Sequence, residues 1–235
     1  LVHVQESEAA RLPALCFFKT MTNLLAIFLA VFRMIVIPAQ FQDRQFSCTE
    51  AELEQTVLSA QEYFNDQSWD EREFVFDIAP AVTLSKGYAY YGSNYSDRRD
   101  AQLGDAVREA CRLSSGQVDF SLYDNDNDGN VDNVFVLFAG PSEADGADAE
   151  SIWPQYGSLG DYGLSLSMNG KSVDSFAVSC ELASDDGLNP QPAGIGIFCH
   201  ELAHHFGLHD LYDTDGDSSG GMSKGLWNTS LMDFG

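Results

Sequence analysis

Four of the five histidines in this chain of 235 residues fall within ten positions, in the string CHELAHHFGLHD that runs from Cys199 to Asp210. Residues four positions apart on an α-helix lie on one face about 6 Å apart, so His200 and His204 can direct their imidazoles at one metal ion. Gly207 follows three residues later and can take the left-handed conformation that ends a helix and turns the chain back. Asp210 is then placed to supply a third ligand, and the spacing predicts a helix that carries a zinc site.

Glu201, next to the first of these histidines, is the candidate general base. Three protein ligands leave one position of a tetrahedral zinc ion open for water, as in a catalytic site. Zinc lowers the pKa of such a water towards about 7, and a neighbouring carboxylate can take its proton while the water attacks a polarised carbonyl. Two alternatives stay open: His209 as the third ligand in place of Asp210, and a chance HExxH motif on a surface helix.

A second group of candidate metal ligands lies in an aspartate-rich turn. Its sequence has Gly129 at loop position 6, as a calcium-binding turn requires, but Phe135 instead of a bidentate glutamate at position 12. We therefore expect a shortened, structural calcium loop, with a solvated polar turn as the alternative. A weaker aspartate group at 213–217 is either a cation site or a polar surface loop. The candidate calcium ligands are Asp124, Asp126, Asp128, Asn130 and Asp132.

The formal charge of the chain is −24, from 36 acidic and 12 basic residues. Such a charge repels phosphate backbones and anionic lipid surfaces, so we expect no nucleic acid as a partner.

The apolar run from Leu24 to Phe32 is near the length of a signal-peptide core and too short to span a bilayer, so no stable membrane insertion is expected. Residues 1–33 are interpreted as a signal-like or spurious segment, and 34–235 as one domain.

Hydrophobic spacing and turn residues predict a mixture of helices and strands. Thr49 and Glu52 have the spacing of a capping box, which predicts a helix over 50–64. The β-branched and aromatic run from Val131 to Ala139 predicts a strand near the middle of a sheet. The stretch 140–189 is rich in Gly, Ser and Asp. Its Trp153-Pro154 pair could line a substrate cleft, but a packing anchor at a loop corner is the more common role. Further strands are expected over 34–41, 74–78 and 81–84, helices over 100–113 and from near 192, a loop over 87–95 and a hairpin at 168–171.

The string HELAHHFGLHDLYDTD, followed by Ser230-Leu-Met-Asp233, resembles the M6 family of metallopeptidases, the immune inhibitor A-like group of the zincins. The similarity runs from about Met34 to the end of the chain, through segments such as Ile152-Trp-Pro154. The resemblance implies an α+β zincin fold with a mixed, twisted sheet and an active-site helix at the base of a cleft. By position, it implies His200 and His204 as zinc ligands, Glu201 as base, Asp210 as third ligand, and Met232 as the methionine turn beneath the zinc.

The resemblance also implies a function: a bacterial, secreted or extracellular zinc endopeptidase that cleaves proteins or peptides. Family members carry a propeptide ahead of the core, and a lower lobe is expected after Gly235. The chain is therefore expected to be a catalytic domain that is incomplete at its C-terminus. Two alternatives remain at this point, a catalytically silent calcium-stabilised binding module and a zinc hydrolase that acts on non-peptide substrates.

Overall fold

The computed structural model describes residues 30–69, 71–95, 98–184, 190–214 and 225–233. Most of the predicted N-terminal segment 1–33 lies outside the described residues, as do Asp215 and Asp217 of the weaker aspartate group. In the described part of the chain, no helix combines the length and the apolar character needed to cross a bilayer.

The described residues form four α-helices and ten β-strands. The helices are α1 (Glu50–Gln67), α2 (Tyr88–Tyr91), α3 (Leu103–Ser114) and α4 (Ile195–His205). The strands are β1 (Ala30–Gln40), β2 (Arg72–Ile78), β3 (Val82–Thr83), β4 (Asn130–Val131), β5 (Val134–Pro141), β6 (Gln155–Ser158), β7 (Ser167–Met168), β8 (Lys171–Val173), β9 (Ser175–Ser184) and β10 (Gln191–Pro192).

A seven-stranded mixed sheet organises the molecule, in the order β10-β9-β5-β1-β2, with β3 beside β1 and β6 beside β9. The strands β2, β3 and β5 run parallel to β1, and β9 runs parallel to β5. The strands β6 and β10 run antiparallel to β9. The predicted mixed sheet of an α+β fold is thus confirmed, and so is the central position of the strand predicted over 131–139.

Both faces of this sheet are covered, which explains the continuous apolar run in β5. Alternate residues of a strand point to opposite faces. Accordingly, Val134 and Val136 pack with α3 in one buried cluster, whereas Phe135 and Leu137 pack with α1 and α4 in another. Every residue of β5 is buried. A strand buried on both faces carries no polar alternation, so its sequence is apolar throughout.

Several predicted elements are confirmed with small changes of boundary. The capping box starts α1: the Thr49 hydroxyl accepts from the Glu52 N–H, and the Glu52 carboxylate accepts from the Thr49 N–H at 2.7 Å. The predicted hairpin is the β7–β8 pair, in which Asn169 and Gly170 both have positive φ, as a tight type I′ connection requires.

Three expectations need correction. The first strand begins at Ala30 rather than Met34, so residues 30–33 belong to the sheet and not to the separate segment 1–33. The predicted loop over 87–95 contains the short helix α2. The strand β9 was not predicted at all, although it pairs with the central strand, because it lies in a stretch rich in Gly, Ser and Asp.

Candidate active site

Helix α4 packs its apolar side on the sheet and leaves His200 and His204 of the HExxH motif partly exposed. Phe198 stacks on Phe135 of β5, with ring centroids 3.7 Å apart, and Leu202 is fully buried. The helix stops as its sequence predicts, because Gly207 has a φ of 82° and its N–H bonds to the His204 carbonyl at 2.9 Å. The chain then reverses and brings Asp210 back to the exposed side of the helix.

The two histidines of the motif converge on one carboxylate oxygen. The Nε2 atom of His200 lies 3.1 Å from Asp210 Oδ1, and the Nε2 atom of His204 lies 3.4 Å from the same oxygen. The opposite ring nitrogens are also engaged: Nδ1 of His200 contacts the Leu231 carbonyl at 2.7 Å, and Nδ1 of His204 contacts the Leu208 carbonyl at 2.8 Å. Two backbone carbonyls therefore orient both rings.

These contacts fit a zinc ion. A carbonyl oxygen only accepts hydrogen bonds, so each Nδ1 carries a proton, and a neutral ring then directs its Nε2 lone pair at the Asp210 carboxylate. Lone pairs and a negative oxygen at such distances repel one another unless a positive charge lies among them. Ligands placed 2.0–2.1 Å from a tetrahedral zinc ion are separated by about 3.3 Å, close to the two Nε2–Oδ1 distances. The donors, two imidazoles and one carboxylate, are also of the type that zinc prefers.

Glu201 lies beside these donors in a nearly closed environment. Glu201 is 7% exposed, and one of its carboxylate oxygens lies within 4.8 Å of ring nitrogens of His200 and His204. Burial, and secondly the negative charge of Asp210, raises the pKa of Glu201 to about 8, while a hydrogen bond from the Tyr156 backbone acts in the opposite direction. A bound cation would reverse this balance, because its charge favours the ionised carboxylate.

The segment that contains Met232 lies directly against the cluster. Met232 is buried, its carbonyl accepts from the Leu211 N–H at 2.7 Å, and the preceding Leu231 carbonyl is the one that orients His200. Asp233 closes this turn on itself, since its Oδ2 accepts from the Trp227 N–H at 2.6 Å. The residue predicted as the methionine turn is thus next to the candidate ligands.

A cleft runs past the cluster along the edge strand β6. It consists of two adjoining cavities of about 360 Å³ each, and both include His200 and Glu201 in their walls. Trp153 and Pro154 line both cavities, so the pair forms part of the cleft, which the sequence interpretation had ranked below a packing anchor. Tyr156 of β6 was missed, because nothing local to a short Gly- and Ser-containing strand indicates that its backbone meets Glu201. His209, the alternative ligand, is exposed and lines one cavity.

The aspartate-rich turn has a different arrangement. Carboxylate oxygens of Asp124, Asp126 and Asp128 lie within 4.8 Å of one another. The Asp124 side chain is fully buried, and its Oδ2 accepts from the Lys171 ammonium at 2.5 Å and from the Gly129 N–H at 3.1 Å. The hydrogen bond from Lys171 is the main cause that holds the pKa of Asp124 below its ordinary value.

The other two predicted calcium ligands are engaged within the same turn. The Asn130 amide donates to Asp128 Oδ2 at 2.9 Å, and Oδ2 of Asp132 accepts from the Asn125 N–H at 2.6 Å. The structure therefore brings three of the five predicted ligands together and ties Asp132 to Asn125 instead. Lys171 was not considered as a partner, because it lies 47 residues from Asp124 in sequence.

Comparison with known proteins agrees with the motif. The profile of the family described as immune inhibitor A peptidase M6, catalytic domain, matches residues 36–235. The pre-pro-metalloprotease PrtV of Vibrio cholerae serotype O1 (strain M66-2) is 27% identical over 222 residues, which covers 81% of this chain and 24% of the relative. Immune inhibitor A of Bacillus thuringiensis subsp. alesti is 24% identical over 199 residues, which covers 73% of this chain and 29% of the relative. The chain thus spans 24% to 29% of the length of these curated relatives.

Proposed function

The chain belongs to the M6 family of metallopeptidases, and we propose that it is a zinc-dependent endopeptidase that hydrolyses protein substrates in the cleft along β6. The observation that carries this proposal is the convergence of His200 Nε2 and His204 Nε2 on Asp210 Oδ1. The family supplies the reaction class, and the donor set supports zinc as the metal. His200, His204 and Asp210 are the proposed ligands.

Bound there, zinc would supply a Lewis acid that polarises the scissile carbonyl and acidifies a water molecule. Glu201 takes a proton from the attacking water and passes it to the leaving amine, for which its closed position beside both imidazoles is suited. The carbonyls of Leu231 and Leu208 hold the rings in the tautomer that leaves Nε2 free for the metal. The turn around Met232 fixes Leu231, so we assign this turn a supporting role.

We propose that the substrate binds as an extended strand along β6. Among the strands that the structure describes, β6 pairs with β9 alone. Its other edge faces Glu201, as the contact between the Tyr156 backbone and this carboxylate indicates. An extended peptide can add to such an edge through main-chain hydrogen bonds, which places a peptide bond next to the candidate ligands.

Two further proposals concern the location of the enzyme and calcium binding. We place the enzyme outside a bacterial cell, as the M6 resemblance implies; the Vibrio relative is named a pre-pro-metalloprotease, and a pre-segment is typical of exported proteins. Calcium at the aspartate-rich turn remains a proposal that the cluster of Asp124, Asp126 and Asp128 supports. The contact of Lys171 with Asp124 works against it, since an ammonium already neutralises the most buried carboxylate.

The test compares zinc content and cleavage of unfolded casein in wild type and two variants. His204→Ala should lose both the zinc and the activity, because it removes a ligand. Glu201→Gln should retain about one zinc per chain and lose at least ~100-fold in kcat/KM, because an amide cannot take the proton. Zinc-loaded, folded wild type that cleaves neither casein nor peptides would contradict the proposal and favour a binding module; cleavage of esters alone would favour a non-peptide hydrolase.

A further inference from the structure

Two arginines lie together beside β6, although basic residues are scarce in this acidic chain. The guanidinium carbon of Arg98 lies 3.9 Å from the centroid of the Tyr162 ring, and that of Arg99 lies 4.1 Å from the centroid of the Trp153 ring. Stacking on an aromatic face fixes a guanidinium plane and leaves its N–H groups at the rim. Arg98, Arg99, Tyr162 and Gln155, the first residue of β6, line a surface cavity of about 610 Å³.

This cavity adjoins the cleft, since Gln155 lines both and Trp153, on which Arg99 stacks, also lines the cleft. The Tyr156 ring lies 6.3 Å from the His204 ring, on the side of α4. The Gln155 side chain points the other way, where its Nε2 donates to Asp100 Oδ2 at 2.9 Å. A peptide paired with β6 alternates its side chains between these two faces as β6 does. When one substrate side chain enters the cleft beside Glu201, the next residue directs its side chain to the arginine face.

The hydrogen bonds that Arg98 and Arg99 make with the described residues leave N–H donors on both guanidinium groups. Arg98 Nη1 donates to the Asp161 carbonyl at 2.5 Å, and the Arg98 side chain also hydrogen-bonds the Tyr162 hydroxyl, so two of its five N–H groups are used. Arg99 Nε lies 3.8 Å from Glu143 Oε2, which is too far for a hydrogen bond. The Arg99 side chain is 50% exposed, whereas that of Glu143 is 20% exposed, so the positive group is the outer one. A carboxylate that approaches from solvent therefore meets the arginines first.

Asp100 accepts a hydrogen bond from Gln155, which lines this cavity. It offsets the positive charge of the two arginines less than an ordinary carboxylate would. It is fully buried, and its Oδ1 has no hydrogen-bond partner among the residues that the structure describes. Burial, as the largest cause, raises its pKa to about 7. At neutral pH and below, a substantial fraction of Asp100 is consequently uncharged.

We infer that Arg98 and Arg99 form a subsite for an acidic side chain, Asp or Glu, of a peptide substrate bound along β6. The inference rests on the proposed peptidase function and adds a substrate preference to it. The net charge of −24 repels acidic peptides in general, so a preference for an acidic residue at one position requires a local source. Two fixed guanidinium groups supply it, because they bind a carboxylate through charge-assisted and bidentate hydrogen bonds.

The experiment measures kcat/KM for fluorogenic peptides in which Glu, Gln or Lys is moved through the residues on each side of the cleaved bond. Wild type should prefer Glu over Gln about 10-fold at one position that neighbours the residue in the cleft, and this preference should shrink with added salt. The double variant Arg98→Gln/Arg99→Gln should lose that preference. The charge-preserving Arg98→Lys/Arg99→Lys should keep most of it, which a purely structural role of the arginines does not predict.

Lys86→Gln is the matched control, because Lys86 also lies over an aromatic ring, that of Tyr90, but is not part of this cavity. Equal rates for Glu and Gln peptides at every position, or a Glu preference that survives Arg98→Gln/Arg99→Gln, would overturn the subsite and leave the peptidase proposal standing. Anisotropy with the labelled peptides on Glu201→Gln protein measures binding without cleavage. If zinc-loaded wild type also cleaves none of the peptides, arginine-dependent tighter binding of the Glu peptide would support the subsite and contradict the peptidase proposal.

Discussion

The candidate zinc ligands and the aspartate-rich turn both gather metal-binding side chains, but they differ in how the protein balances their charge. At the first, two Nε2 atoms and Asp210 Oδ1 face one another, and within the described residues no lysine or arginine pairs with that carboxylate. At the second, Lys171 lies 2.5 Å from Asp124 and supplies a positive charge from the chain itself. The difference shows that ligand spacing alone does not indicate a need for metal, since the source of countercharge must also be known.

The largest effect expected from this comparison is at the third zinc ligand. Asp210→Ala should lower zinc affinity and casein cleavage by about 100-fold or more, because it removes the carboxylate that both Nε2 atoms approach. His209→Ala is the matched test of the alternative ligand and should change both values less than about threefold. Zinc titration with a chromogenic chelator measures the affinities; the reverse ranking would make His209 the ligand.

Removal of zinc should destabilise the region around α4 more than the aspartate-rich turn. A ligand present at about 1,000 times its Kd stabilises the folded state by about 4 kcal/mol, so chelation should lower the Tm by many degrees. Hydrogen exchange should rise in 195–211 and 225–233, which the ligands and their carbonyl partners connect. Equal loss of protection in 124–132 would indicate that the turn also holds a metal.

A smaller effect is expected at Lys171. In the absence of calcium, Lys171→Met should lower the Tm by several degrees, because the buried Asp124 carboxylate loses its ammonium partner. Millimolar calcium should restore the Tm of the variant and change that of wild type less, since the vacated position suits a cation. Lys86→Met, which removes a lysine from the Tyr90 ring, is the control by differential scanning fluorimetry. Strong calcium stabilisation of wild type would instead show that Lys171 does not block the site.

The smallest effect concerns Asp100, a buried carboxylate whose burial outweighs the charge of the nearby Arg99. Its folded-state pKa is about 7, above the ordinary value, so the folded protein binds a proton that the unfolded chain releases between about pH 4 and 7. Stability from this group is therefore present at low pH and is lost as pH rises through that window. Asp100→Asn should flatten the fall in urea-unfolding free energy from pH 5 to 8, because an amide does not titrate. Its oxygen can still accept from Trp153 and Gln155, so the fold is retained. An unchanged pH slope would refute this assignment.

Local patterns in the sequence predicted the elements whose causes are local. The start of α1 depends on Thr49 and Glu52, three residues apart, and the end of α4 depends on Gly207. The β7–β8 hairpin likewise depends on the adjacent Asn169 and Gly170. The arrangement of His200 and His204 on one helix face follows from their spacing in the same way.

The features that escaped prediction depend on partners distant in sequence. Strand β9 contains Glu181, which argues against a central strand until its partners are known. Its carboxylate accepts from the Ser47 and Cys48 N–H groups at 2.5 Å each and from the Gly140 N–H at 2.9 Å. These donors satisfy a buried charge from segments 41 to 134 residues away. The contact between Lys171 and Asp124 was hidden for the same reason.

The parallel pairing of β1 with β5 has a consequence for how this chain reaches its fold. Ile35 pairs with Val134, so about a hundred residues must emerge from the ribosome before β1 meets this neighbour. At about 5–20 residues per second, the delay lasts on the order of 5–20 s. Throughout that time the apolar run Met34-Ile-Val-Ile37 lacks its central partner, and such a segment is prone to aggregate. Folding yield should therefore depend on protection of β1 until β5 is available to pair with it.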